Sequence, residues 1–179
     1  MLEQAHTYPY TLGEGKLPGA LENNILYYLG LAYEGLGQAD QARDCFRQAS
    51  VGLSEPTSAM YYNDQPPHMI FYQGLALEKL GREDPEAART SREVFEKLVR
   101  YGQQHLNDTV KMDYFAVSLP DFLVFEDDLS RRNRIHCYYM MALGYLGLKD
   151  TARASEAFER VFSLNADHIG AHLHQRLAA

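Results

Sequence analysis

The sequence predicts an all-α protein, an α–α superhelix of about three helical hairpins with an ordered insertion before the last one. Three observations predict it. The pair Leu-Gly closes an apolar helical stretch at Leu36-Gly37, Leu80-Gly81 and Leu146-Gly147. An Asp follows each pair closely, at Asp40, Asp84 and Asp150. The segments on both sides of each pair carry apolar residues with a period near 3.6. Gly is expected to end the first helix of a hairpin, because it takes the left-handed conformation cheaply. Asp is then expected to cap the second helix by accepting from its free backbone N–H groups.

Taken in order, residues 1–20 form a leader containing the aromatic stretch TYPYTLGEGKL. Hairpin one covers 21–53. Leu21, Ile25, Leu29, Ala32 and Leu36 are predicted to share one face of its first helix, with Ala42, Phe46 and Ala49 on the second. Hairpin two covers 67–106: an apolar helix over Met69–Leu80, then a long partner from about Pro85 to His105. Pro85 is tolerated there as a first-turn residue. Residues 107–128, NDTVKMDYFAVSLPDFLVFEDD, form the insertion. Its net charge is −5, and its apolar and aromatic content suits a packed excursion better than a floppy linker. Asp127 or Asp128 is expected to cap the next long helix. Hairpin three covers 129–166, pairing about Asn133–Leu146 with Thr151–Leu164, and a C-terminal capping helix lies within 167–179. The whole, 1–179, reads as a single domain.

Composition narrows the function. The chain has 179 residues, 46% of them apolar, enough to bury a core. Its net charge of −7 argues against a nucleic-acid partner, which would require a basic face. The longest uncharged run, Ile135 to Leu148, is 14 residues, short of the roughly 20 needed to span a membrane. No basic stretch followed by an apolar run marks a signal peptide, so a cytoplasmic location is expected. Two cysteines, Cys45 and Cys137, make neither a disulfide scaffold nor a metal cluster.

The hairpins resemble the tetratricopeptide repeat. Leu26-x-x-Leu29-Gly30-x-x-Tyr33, then Ala42-x-x-x-Phe46 and Ala49, follow its pattern closely, with Leu26 where the family prefers Trp. The second copy reads Ile70-x-x-Gln73-Gly74-x-x-Leu77, then Ser91-x-x-x-Phe95. The third reads His136-x-x-Tyr139-Met140-x-x-Leu143, then Ala154-x-x-x-Phe158 and Val161. The copies begin near Asn23, Pro67 and Asn133, 44 and 66 residues apart, where the family's period is about 34. The insertion and the leader also resemble the C-terminal repeat region of a bacterial family of uncharacterised tetratricopeptide proteins. In that family a domain of unknown function precedes the repeats, often in carbohydrate-utilisation settings. That resemblance implies a chain that is part of a larger protein.

Several constellations have plain structural readings. His168, His172 and His174 offer two rings one helical turn apart, but no Cys joins them; the polar face of an exposed end helix accounts for them. Glu126-Asp127-Asp128 lacks the alternation and central Gly of a calcium loop and suits a helix N-terminus. Cys137 follows His136, yet adjacent helix residues point about 100° apart, so packing is the better reading for both cysteines. Leu12-Gly13-Glu14-Gly15-Lys16 lacks phosphate-loop spacing and reads as a turn. Arg131, Arg132 and Arg134 suit ion pairing with the acidic insertion, with carboxylate recognition as the alternative.

The resemblance implies a concave groove lined by the first helix of each hairpin. The positions expected to face it, taken as partner-binding except for Leu31, Leu75 and Cys137, are Asn24, Tyr27, Leu31 and Glu34 in copy one, and His68, Phe71, Leu75 and Glu78 in copy two. In copy three they are Arg134, Cys137, Tyr138, Met141 and Tyr145. This set is rich in aromatics, as interfaces prefer. Tyr27 and Leu31 stand where chaperone-binding members carry the Lys and Asn that clamp a peptide carboxylate. The expectation is a non-enzymatic interaction module with no cofactor and no metal. Its partner would be a protein or peptide segment, or a preceding domain of the same protein. The alternatives are an accessory region of a carbohydrate-active protein, and a self-association tail making a homo-oligomer.

Overall fold

A computed structural model describes residues 2–5, 21–58, 65–109 and 128–178. The described residues are all-helical, as predicted, with eight α-helices and no strand among them. The helices are α1 (Leu2–Ala5), α2 (Asn23–Gly35), α3 (Ala39–Ala49), α4 (Met69–Leu80), α5 (Pro85–His105), α6 (Leu129–Gly147), α7 (Thr151–Leu164) and α8 (Ile169–Gln175). The chain divides into two compact units, Met1–Pro56 with Asn63–Leu98, and Thr57–Tyr62 with Val99–Ala179; one boundary falls inside α5. Nearly all of the insertion, the Gly13–Gly15 turn and most of the leader lie outside the described residues.

In the first unit α2 and α3 form a hairpin and α4 packs on both. Its core joins Ala42, Phe46, Ala49 and Ala76, with Leu26, Tyr27, Leu31, Tyr33 and Leu80 against it. The packed face of α2 is therefore rotated from the predicted one: Ala32 and Leu36 are exposed, Leu36 by 72%. The small residue Gly30 sets the rotation. A Cβ there would stand 2.5 Å from the Phe46 ring, so only glycine lets α3 approach so closely. Gly74 meets Phe95 in the same way, and Ser91 donates to the Gly74 carbonyl at 2.8 Å. A buried amide network closes the base of the hairpin. Asn23 donates to the carbonyls of Ala49 (2.8 Å) and Val51 (2.7 Å) and accepts from Gln65, whose Oε1 accepts from Leu53 N–H.

In the second unit α6 and α7 form a hairpin, and α8 packs on α7. The end of α5 approaches α6 closely at Gly102, where a Cβ would lie 2.5 Å from the Cys137 carbonyl. Asn133 donates to the His105 carbonyl at 2.7 Å. Arg131 donates to the Leu164 carbonyl, closing the open end of α7.

The turns correct three expectations. Gly37 has φ 74°, as expected of a helix-ending glycine, but Gly81 is right-handed, with φ −64°. Gly81 is required by closeness instead: a Cβ would lie 2.7 Å from Ala88. In hairpin three Gly147 is still helical, and the left-handed residue is Lys149, φ 63°. Asp84 and Asp150 cap as predicted, accepting from Glu86 N–H and Arg153 N–H at 3.0 Å. Asp40 does not cap; it lies in the first turn of α3, and the capping position is held by Gln38, which makes no side-chain cap. Asp128 caps α6, accepting from Arg131 N–H at 2.9 Å, and starts that helix four residues before the predicted Asn133.

The third turn also shifts the repeat register. Leu148, Lys149 and Asp150 N–H donate to Gly144, Leu146 and Tyr145, as Leu36, Gly37 and Gln38 donate to Ala32, Glu34 and Tyr33. The third copy therefore aligns as Tyr138-x-x-Met141-Ala142-x-x-Tyr145, two residues later than predicted. This puts a small residue, Ala142, opposite Gly30 and a tyrosine opposite Tyr33.

Candidate functional site

The face of α2 and α4 in the first unit carries the densest group of predicted site residues. Tyr27 is half-buried, its ring 5.9 Å from Phe46, 5.5 Å from Tyr28 and 6.0 Å from Tyr72. Tyr28, 40% exposed, closes the triangle with Tyr72 at 5.9 Å. Burial, with the Glu78 carboxylate nearby, pushes the Tyr27 hydroxyl up to about 12, so it stays protonated and able to donate. Tyr72 is raised too, chiefly by burial. Tyr28 and Tyr72 went unmarked in the sequence, although the Tyr27-Tyr28 doublet was a visible signal.

Glu34 lies on the exposed end of this face and is held by two cations of the second hairpin, Lys79 and, at 2.6 Å, Arg82. The hydrogen bond from Lys79 keeps the Glu34 carboxyl below its ordinary range. The Lys79 ammonium also sits over the Phe46 ring, 5.8 Å from its centre. Beside this cluster a cavity of about 830 Å³ opens between α3 and the α4–α5 turn, with Ala42, Phe46, Leu77 and Leu80 among its apolar lining. Arg43, Lys79 and Arg82 stand around it with Glu34, Glu83 and Glu86, a mixed-charge margin over an apolar interior. Asn24 and His68 are half-buried, and Glu78 is exposed.

Other predicted site residues are placed differently. Phe71 is 1% exposed, its ring packed on Phe95 and Tyr72, and Leu75 is buried beside it. The cause is that α4 is enclosed along Ile70–Ala76, so residues there fill the interior and face no groove. Cys137 and Met141 are likewise buried. Tyr145 stands at the position of Tyr33, between the helices of its hairpin: the Arg153 guanidinium lies 4.6 Å over its ring, and its hydroxyl accepts from Gln103 at 3.2 Å. Tyr138 is half-buried at the position of Leu26, and Arg134 is half-buried, 4.0 Å from Asp128. In the corrected register the counterpart of Tyr27 is Tyr139. That residue is buried, with its ring 4.6 Å from His168 and 5.8 Å from His174 of the α8 segment.

The three histidines therefore serve local contacts, two of them against Tyr139, and only His172 is exposed as predicted. His168 accepts from Ala171 N–H and caps α8. His172 donates to the Ala166 carbonyl at 2.7 Å. His174 is buried, its Nδ1 donating to the Gly170 carbonyl at 2.6 Å and lying 2.9 Å from the Tyr139 hydroxyl. No group of three or more His, Cys, Asp or Glu among the described residues is arranged to hold a metal ion. Burial pushes the Cys137 thiol up to about 12 and raises Cys45, so both are poor thiolates; both are free and buried. His136 donates to the Thr57 carbonyl at 2.9 Å and is lowered to about 4 by burial.

Residues 25–49 and 135–168 match the tetratricopeptide repeat. The repeat is typically a protein-interaction module and typically non-catalytic. The chain matches no solved structure. No helix among the described residues is long and apolar enough to cross a membrane.

Proposed function

We propose that this chain is a non-enzymatic, cytoplasmic protein-interaction module that binds an extended segment of a protein partner on the α2–α4 face. The partner residues are read by Asn24, Tyr27, Glu34, His68 and Glu78, with Tyr28 as the exposed aromatic platform. The observation that supports this most is the tyrosine triangle bordered by Glu34 and Glu78. It offers the exposed ring of Tyr28 backed by Tyr27 and the buried Tyr72, a Tyr27 hydroxyl kept protonated as a donor, and at Glu78 an acidic edge that favours a partner with basic residues. The partner is another protein or a preceding domain of the same one. Arg134, Tyr138, Met141 and Tyr145 belong to the second unit and are left out of this surface.

The test is selection from a displayed library of random peptides, followed by titration of the selected peptides. Wild type should enrich peptides combining Lys or Arg with an aromatic or Pro residue. Tyr28→Ser and Glu78→Lys should each weaken them by roughly tenfold, about 1.4 kcal/mol. No enrichment, or enrichment indifferent to both variants, would remove this reading. The carbohydrate-related alternative would show instead as binding to oligosaccharides that Tyr28→Ser abolishes.

A further inference from the structure

The cavity between α3 and the α4–α5 turn borders the tyrosine face. Phe46 packs its ring 5.9 Å from Tyr27 and also lines the cavity. Glu34 belongs to both as well. Tyr27 and Glu34 are seven residues apart on α2, close to two turns, so they share one stripe of that helix. The distance between them along the axis is about 10 Å, which about three extended residues span. A partner segment that follows this stripe from the tyrosines reaches the cavity at Glu34.

The cavity suits one kind of side chain. Its volume, about 830 Å³, is ample for a large residue. Leu77 and Leu80 in its wall are only half-buried, so apolar area there still faces water. The charges around it are already matched. Arg43 of α3 pairs with Glu83 of the turn at 3.2 Å, Glu34 with Lys79 and Arg82, Arg47 with Asp44, and Glu86 with Arg89. Asp84 caps α5. A charged side chain entering here would have to break one of these pairs or leave its own charge poorly solvated, whereas an uncharged one disturbs none. We infer that the cavity receives a large apolar side chain of the partner segment, Leu, Ile, Met or Phe, about three to five residues along from the one that lies on the tyrosines. This anchor rests on the reading of the α2–α4 face as the partner surface. It adds a requirement that neither the basic residues nor the Tyr28 platform supplies.

The probe is the displayed random-peptide library, selected against the full chain, with the selected peptides then titrated. They should carry a large apolar residue about three to five positions from their aromatic or Pro residue. Replacing that residue by Ala should weaken binding roughly tenfold. Ala39→Trp, which fills the cavity from an exposed position, should weaken the selected peptides by the same factor and leave their Ala-substituted forms unaffected. Thr90→Trp, from the α5 wall, takes its place if Ala39→Trp lowers the melting midpoint. Selected peptides that lack the apolar position, or that bind the filled variant as well as wild type, overturn the anchor. So does an equal loss in the anchored and Ala-substituted peptides. In each of these cases a continued loss with Tyr28→Ser would show the α2–α4 reading still standing. A library that yields no binding peptide removes that reading and the anchor with it.

Discussion

The first hairpin, α2–α3, and the last, α6–α7, close through the same backbone turn built from different residues. Three N–H donors at matching positions meet three matching carbonyls, at 2.9 to 3.1 Å in both. Gly37 holds the left-handed position in one and Lys149 in the other. Gln38 stands at the second helix's cap without a side-chain bond, whereas Asp150 makes one. The hairpins also differ in enclosure. Of α2 only Asn23 and Gly30 are buried, while α6 buries ten residues, from Asn133 to Gly147. Tyr27 remains half-open beside Tyr28, and its counterpart Tyr139 is covered by the histidines of the α8 segment. The turn is thus set by backbone bonds that tolerate several residues, and enclosure separates a hairpin whose first helix stays open from one whose first helix is packed into the core.

The largest expected difference is in the core rings. Phe158 is fully enclosed, and Phe46, itself only 5% exposed, is flanked by half-exposed Leu26 and Leu31. Phe158→Ala should cost about 3–5 kcal/mol, and Phe46→Ala clearly less, by urea unfolding. Equal costs would mean that the two hairpins are equally enclosed.

Acid comes next. His136, His168 and His174, all lowered chiefly by burial, lie in the second unit. For His136 the folded value is about 4 against 6.5 unfolded, so between these the unfolded chain binds the proton that the folded chain refuses. Stability should therefore fall as the pH drops through that window, by up to about 3 kcal/mol from this group. His136→Gln should flatten the profile. A wild-type profile already flat from about pH 7 to about pH 4 would contradict the burial of these rings.

Gly30→Val should cost about 1–3 kcal/mol, since its branches would meet the Phe46 ring. An unchanged melting midpoint would show that α2 and α3 do not cross at Gly30. The smallest effect is in the turn: Lys149→Gly should gain about 0.5–1 kcal/mol and Gly37→Ala lose about 1, because only one of the two turns already has the residue its φ favours. A loss from Lys149→Gly would argue against the shared turn.

The hairpins, the span of α5 and the capping by Asp84, Asp128 and Asp150 were legible in the sequence, because helix periodicity, first-turn proline and Asp caps are local signals. The register of the third copy was not. Leu146-Gly147 copies the Leu-Gly mark, but the turn formed two residues later, where Lys149 accepts a conformation normally left to glycine. The candidate site was half legible. Resemblance to the repeat assigned Tyr27, Glu34 and Glu78 to one groove-lining face. It could not show that α4 is enclosed along Ile70–Ala76, which removes Phe71 from any surface, because enclosure depends on neighbours far along the chain. Nor could it reveal that Lys79 and Arg82 of the second hairpin would hold Glu34.

Hydrogen exchange read helix by helix, with and without a selected peptide, tests the central claim most directly. In the free chain α2 should exchange faster than α6, because so little of it is buried. On adding peptide, protection should rise in α2 and α4, with α6 and α7 unchanged. Protection appearing in α6 and α7 while α2 stays as it was would contradict the assignment of the partner surface to the first hairpin.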